Sequence, residues 1–245
     1  MTVSLEQAKV PEGLRVYAIG DVHGCLVELN KLLDQIEADI RAFPIAKHQL
    51  VFVGDYLDRG RASKGVISRL IALKQSKPDT VFLLGNHDLA LLRFLKEPHQ
   101  VAKDYFAYGG AETLRSFGLR ILKDPVGAGQ IEELIAYSEL TINFSHLNFL
   151  AELETSHVIG DYFFSHAGAR PGVPLDEQNA RDLMWIRDDF LESESLFEKV
   201  IIHGHTARNE VEVRKNRINI DTRCYKTGVL TSVVLEGNSH RFLQT

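Results

Sequence analysis

Short apolar runs alternate with amphipathic stretches through the first part of the chain, and this alternation predicts the element order. Residues 15–19 (RVYAI) read as a buried strand, after which Leu26, Leu29, Leu33, Ile36 and Ile40 recur on one helical stripe. The logic repeats with a strand at 49–53, a polar loop at 54–60, and a helix over about 63–75 carrying Val66, Leu70 and Leu73. A third copy has a strand at 80–84, a loop at 85–88 and a Leu-rich helix through Leu95. From about 96 to 157 helical spacing takes over, as in Ile131, Leu134, Ile135 and Leu140, with a turn at 124–129. This stretch reads as a helical insert within a single domain spanning 1–245, with Phe94, Phe106 and Phe149 as core. Strand signals return at 161–165, 200–202, 217–220 and 229–235, the last two resembling a closing pair. Such a pattern predicts an α/β fold whose ligand site lies beyond the carboxyl ends of the strands.

Composition sharpens this picture mainly by exclusion. A chain of 245 residues, 44% hydrophobic, suffices for one large buried core. A net charge of −5 supplies no global basic field, so no nucleic-acid partner is expected. Cys25 and Cys224 are the only cysteines, too few for a disulfide scaffold, which points to a reducing, cytoplasmic setting. The first 13 residues lack an apolar core, and no stretch approaches the roughly 18 apolar residues of a membrane span. No signal peptide, anchor or membrane partner is expected.

The informative residues are those that follow the strands: Asp21 and His23, then Asp55, then Asn86 and His87, then His166, and finally His205. Carboxylates, a carboxamide and imidazoles converging on one rim suit a hard to borderline divalent ion. Without a cation, Asp21 and Asp55 would repel each other at low dielectric. Even six of these as ligands exceed the three or four that one catalytic ion takes, so two ions about 3.5–4 Å apart are expected, with Asp55 as the bridge. Taken singly, a Gly-Asp after a strand is often only a turn. His203 and His205 alternate along a strand, so only one should reach the ions, and His205 is chosen. Cys25 reads as a small packing residue, and His146, His157 and His240 as ordinary surface or packing histidines.

The ordered motifs GDVHG, GDYLDRG, GNHD, SHAG and HGHT, with the tail IDTRCYKTGVLTSVVLEG, resemble the calcineurin-like metallophosphoesterases, specifically their phosphoprotein phosphatase branch. The resemblance implies an α/β/β/α sandwich. It implies one ion on Asp21, His23 and Asp55 and another on Asp55, Asn86, His166 and His205, with manganese favoured and iron or zinc as alternatives. It further implies that His87, paired with Asp58, protonates the leaving oxygen, and that Arg59 and Arg187 hold the phosphate.

The function expected on this basis is hydrolysis of phosphoserine or phosphothreonine by a metal-bound hydroxide, the partner being a phosphorylated protein or a small phosphoester. A second reading is a symmetrical diadenosine tetraphosphate hydrolase, a group sharing GDVHGC and LGNHDLALL and resembled by Asp88 of GNHD. Asp58 is taken to separate the two, because the tetraphosphatases resemble GDLVARG at that loop. A third reading is a non-catalytic phosphate-binding scaffold. Arg223 stands where relatives commonly carry glycine and is expected to point to solvent.

Overall fold

The structure is a computed structural model that describes residues 2–121 and 127–245. Three strand-loop-helix units open it: β1 (Leu14–Ile19) to α1 (Leu26–Ala42), β2 (Lys47–Phe52) to α2 (Ser63–Ser76), and β3 (Val81–Phe82) to α3 (Asn86–Lys96). Four helices follow, α4 (Pro98–Ala107), α5 (Gly110–Ser116), α6 (Ala128–Thr141) and α7 (Phe144–Ala151). The turn expected at 124–129 falls at 124–126 outside the described residues, and α6 already begins at Ala128. The second half runs β4 (Ser156–Ile159), β5 (Tyr162–Ser165), α8 (Ala180–Trp185), α9 (Asp188–Leu191), β6 (Val200–His203), β7 (Glu212–Val213), β8 (Arg217–Asn219), α10 (Cys224–Thr227), β9 (Thr231–Glu236) and β10 (Ser239–Gln244).

Among the described residues the strands form two five-stranded sheets, ordered β10-β9-β1-β2-β3 and β4-β5-β6-β8-β7. Strand alternation explains how they stack. On β1, Val16 and Ala18 enter a core shared with Tyr162, Phe164, Val200 and Ile202 of the other sheet, whereas Tyr17 and Ile19 face Leu29, Leu33 and Val66 of α1 and α2. On the far side of the second sheet, Phe163 and Ile201 pack with Leu183, Phe190 and Phe197. The layers are therefore helix, sheet, sheet, helix.

The expected closing pair does not form. β8 runs parallel to β6 and antiparallel to β7, whereas β9 lies antiparallel to β1 and β10 in the other sheet. The reason is burial on both faces: Val233 and Leu235 enter the core between the sheets and Val234 the helical one, so β9 fits an interior place beside β1. Strands β1, β2 and β3 are parallel, as are β5, β6 and β8. Their carboxyl ends carry all the motif loops. No described helix is long and apolar enough to cross a membrane.

Candidate active site

Backbone strain marks these loops. Among the described residues, the non-glycine positions with positive φ are His23, Asp55, Asp58, Arg59, His205 and Arg223, every one of them at the rim. Such conformations cost on the order of 1–3 kcal/mol each and persist only where the surroundings impose them. Close approach of backbone to carboxylate is part of the design. A Cβ on Gly85 would strike the Asp55 carboxylate, and one on Gly204 the Asp21 carboxylate.

The rim brings Asp21, His23, Asp55, Asn86, His87, His166 and His205 together, each at most 6% exposed. Two groups of ligand atoms share Asp55, one with His23 and His87 and the other with His166 and His205, the atoms of each lying within 4.8 Å of one another. Asp55 Oδ2 is 3.5 Å from His23 Nε2 and 3.4 Å from His166 Nε2, and Asp21 Oδ2 is 4.0 Å from His23 Nε2. Nδ1 of His23 lies 2.7 Å from the Leu57 carbonyl, and Nδ1 of His166 lies 2.9 Å from that of Val53. In the neutral form that binds metal each imidazole has one N–H, and its donation to those carbonyls turns both Nε2 lone pairs toward Asp55. His166 Nε2 then faces Asn86 Oδ1 at 2.9 Å, acceptor against acceptor.

Other atoms of the cluster are unsatisfied too. Asp21 Oδ1, Asp221 Oδ2 and His205 Nε2 are buried without a hydrogen-bond partner. Burial, with Asp221 and Asp55 adding to it, pushes the Asp21 carboxyl well above the usual range. Burial and then Asp55 likewise raise Asp221. His205 is pushed down to about 2, by burial first and His166 next. For Asp55, burial acts upward, but His166 and His87 outweigh it and hold the carboxyl well below its ordinary value. Converging lone pairs and carboxyl groups crowded together without a counter-charge fit divalent cations.

His87 and Asp58 form a separate unit beside this cluster. His87 Nδ1 lies 2.7 Å from Asp58 Oδ2, whose other oxygen accepts from Thr113 Oγ1 at 2.6 Å. Burial acts to lower the His87 pKa, but Asp55 and Asp58 outweigh it and raise it. Arg59 reaches across the mouth, with Nη1 3.1 Å from His23 Nε2 and Nη2 2.9 Å from His87 Nε2. Its guanidinium supplies a positive charge facing those lone pairs. Arg187 is exposed at the start of α9, near enough to His205 to lower its pKa further.

The profile of the calcineurin-like phosphoesterase family matches residues 14–231. The chain belongs to that family. It is 31% identical over 164 residues to a symmetrical bis(5'-nucleosyl)-tetraphosphatase of Nitrosospira multiformis, covering 67% of this chain and 47% of that protein. The same name is borne by a Methylococcus capsulatus protein, 42% identical over 169 residues, 69% of this chain and 48% of the relative. The chain thus spans about half the length of the curated relatives it matches. Among solved structures, a provisionally named diadenosine tetraphosphatase superposes with a TM-score of 0.65 at 22% identity, over 97% of this chain and 98% of that one.

These matches overturn the phosphoserine and phosphothreonine reading, and with it the phosphorylated-protein partner, since the relatives bear the name of the second reading. The contacts show why Asp58 misled. Its carboxylate holds His87 and Thr113, a positioning task independent of the substrate. Asp88 also reads no substrate: it accepts from the backbone amides of Asp55, Tyr56 and Gly85, tying the second motif loop to α3. Calcineurin-like phosphoesterases use a binuclear metal centre, and the groups around Asp55 are able to bind metal.

The rim also includes residues that sequence reasoning passed over or misplaced. Asp221 follows β8 just as Asp21 follows β1 and could have been found by that rule. Tyr225 on α10 lies 4.7 Å beneath the Arg59 guanidinium and 5.3 Å, edge-on, from the His23 ring. Arg223 is half-buried, with Nε enclosed and unpartnered, contrary to the expected solvent orientation. His203 turns away and packs edge-on against Phe190, its pKa pushed down to about 3 by burial and Arg217. Cys25 lies near Glu28 and Cys224, while His146 contacts Ser68 and His157 contacts Glu154.

Proposed function

We propose that the protein hydrolyses dinucleoside tetraphosphates symmetrically, converting diadenosine tetraphosphate into two ADP. The observation that carries the chemistry is the convergence of unsatisfied buried acceptors on Asp55, and the relatives' shared name supports the substrate class. Asp21, His23 and Asp55 would hold one divalent cation and Asp55, Asn86, His166 and His205 a second, with Asp221 close by. Manganese suits this mixed carboxylate, carboxamide and imidazole set, and iron or zinc are alternatives. When bound, such a pair supplies an activated water and neutralises phosphoryl charge.

The chain's own residues do the rest. Arg59 and Arg187 present guanidinium forks to the tetraphosphate from two sides of the rim, matching its oxygens bidentately. Once Arg59 turns from His87 Nε2 onto the phosphate, His87 carries a proton at Nε2 for the departing oxygen, and Asp58, itself fixed by Thr113, holds the ring through Nδ1. The departing group is a terminal phosphate oxygen whose second pKa is about 6, far less basic than an alkoxide, so the demand on His87 is modest.

The test is product analysis on metal-loaded protein. ADP alone is expected from diadenosine tetraphosphate, with one solvent oxygen entering one of the two ADP molecules per turnover. Release of ATP with AMP, or no turnover with any of the three metals, would sink the reading.

A further inference from the structure

A cavity of about 230 Å³ opens beside His87, between α3, α4 and α8. Its lining is mostly apolar, with Ala90 and Val101 among its walls, and it is flanked by Tyr108 and Trp185. Those two aromatics are 58% and 43% exposed, so the core does not account for them. Each also touches the site: Tyr108 lies edge-on to His87 with centroids 6.4 Å apart, and Trp185 edge-on to His205 at 6.2 Å. Polar groups stand on the same lining: Asp104 offers an acceptor, and Arg93 makes a loose 3.7 Å pair with Glu97.

We infer that this cavity receives the nucleoside of the departing ADP half, an assignment that rests on the tetraphosphatase reading above. Asn86, Ala90 and Arg93 share one stripe of α3, and at a rise of about 1.5 Å per residue His87 and Arg93 lie roughly 9 Å apart along it. The cavity therefore leads away from the group that protonates the leaving oxygen, the direction in which the departing diphosphate and its nucleoside must extend. A flat heteroaromatic base needs π-faces and an apolar enclosure, which Tyr108, Trp185, Ala90 and Val101 provide. Asp104 accepts from an exocyclic amino group of the base.

Trp185 is the chain's single tryptophan, so occupancy of the cavity is readable from its fluorescence. In metal-loaded protein, ADP should quench that fluorescence saturably while inorganic diphosphate leaves it unchanged. Stacking energies of this type predict that Tyr108→Ala weakens ADP binding roughly 5–150-fold and lowers, by a similar factor, the ratio of kcat/KM for diadenosine tetraphosphate to that for inorganic tetraphosphate. Val101→Phe, which fills the cavity, should act in the same direction. Equal quenching by ADP and diphosphate overturns the inference, as does an unchanged ADP affinity and kinetic ratio in Tyr108→Ala. Symmetrical turnover that ignores both substitutions removes the cavity assignment alone. Saturable, Tyr108-dependent ADP binding without turnover removes the tetraphosphatase reading and leaves a nucleotide site.

Discussion

Two clusters in this molecule each bury aspartate and end in opposite electrostatic states. On the helical side of the first sheet, Asp39 Oδ2 accepts from Tyr17 Oη at 2.6 Å and from Arg241 at 2.6 Å, with Arg15 at 3.5 Å. Arg15 in turn donates to Glu236 at 2.7 Å and to the Phe43 carbonyl at 2.8 Å. Burial acts to raise the Asp39 pKa, but Arg241 and Tyr17 outweigh it and hold the carboxyl below its ordinary value. At the rim, Asp21 and Asp221 go the other way, each with an oxygen that has no partner. A closed network is structure. An open one, assembled by strained loops from strands of both sheets, is a receptor for charge the chain does not itself supply.

Breaking the open cluster should have the largest effect. Asp55→Asn removes the carboxylate common to both ligand groups, so both metals should be lost together by elemental analysis, and kcat/KM should fall by at least roughly 10³-fold. Unfolding scans sharpen the contrast: metal at 100 times Kd should stabilise the wild type by about 2.7 kcal/mol for each ion bound and leave the variant unmoved. Next in size is His87→Asn, which keeps the metals. It should cost about 10²-fold on a dinucleoside tetraphosphate, the low end for general acid catalysis, and more on an alkyl phosphate. Equal losses on the two substrates would take the proton role away from His87.

Stability measurements then compare the clusters directly. Asp39→Asn should destabilise by about 1.5–3 kcal/mol, the range for hydrogen bonds to charged groups, whereas Asp21→Asn in metal-free protein should stabilise by about 0.5–2 kcal/mol. The same sign for both in urea melts would erase the distinction. The pH dependence of the first is fixed by the direction of its shift. Because Asp39 is depressed in the folded state, its contribution is complete above the usual value of 3.8 and is lost as pH falls through the lower folded value. The gap between wild type and Asp39→Asn should therefore hold at neutral pH and close in acid. The smallest effect belongs to Tyr225→Leu, which removes the face under Arg59. About 0.5–1 kcal/mol of cation–π attraction corresponds to a two- to fivefold rise in KM for the tetraphosphate.

Much of the first sheet was legible because its units are long enough to show periodicity, as in the stripe from Leu26 to Ile40 on α1. The second half was harder to read. α8, α9 and α10 have six, four and four residues and β7 has two, too short for either period to emerge. β10 escaped because an edge strand with Ser239, His240 and Arg241 exposed carries no continuous apolar run. In the site, the residues joined by motifs could be named in advance. Asp221 was within reach of the same rule, whereas Tyr225 and Thr113 were not, since their roles come from packing between segments far apart in sequence. Substrate choice was misread for a related reason: Asp58 is visible as a letter in a motif, but its work is local to His87.

One consequence follows from the placement of β9 between β1 and β10. The amide of Gly20, at the head of the first motif loop, donates to the carbonyl of Thr231 on the chain entering β9. Roughly 210 residues separate the two, and at the usual pace of about 5–20 residues per second a ribosome needs some 10–40 s to make them. During that interval the strand carrying Asp21 is an exposed edge, open to any neighbouring strand. The rim therefore comes into being only after its first and last loops have met.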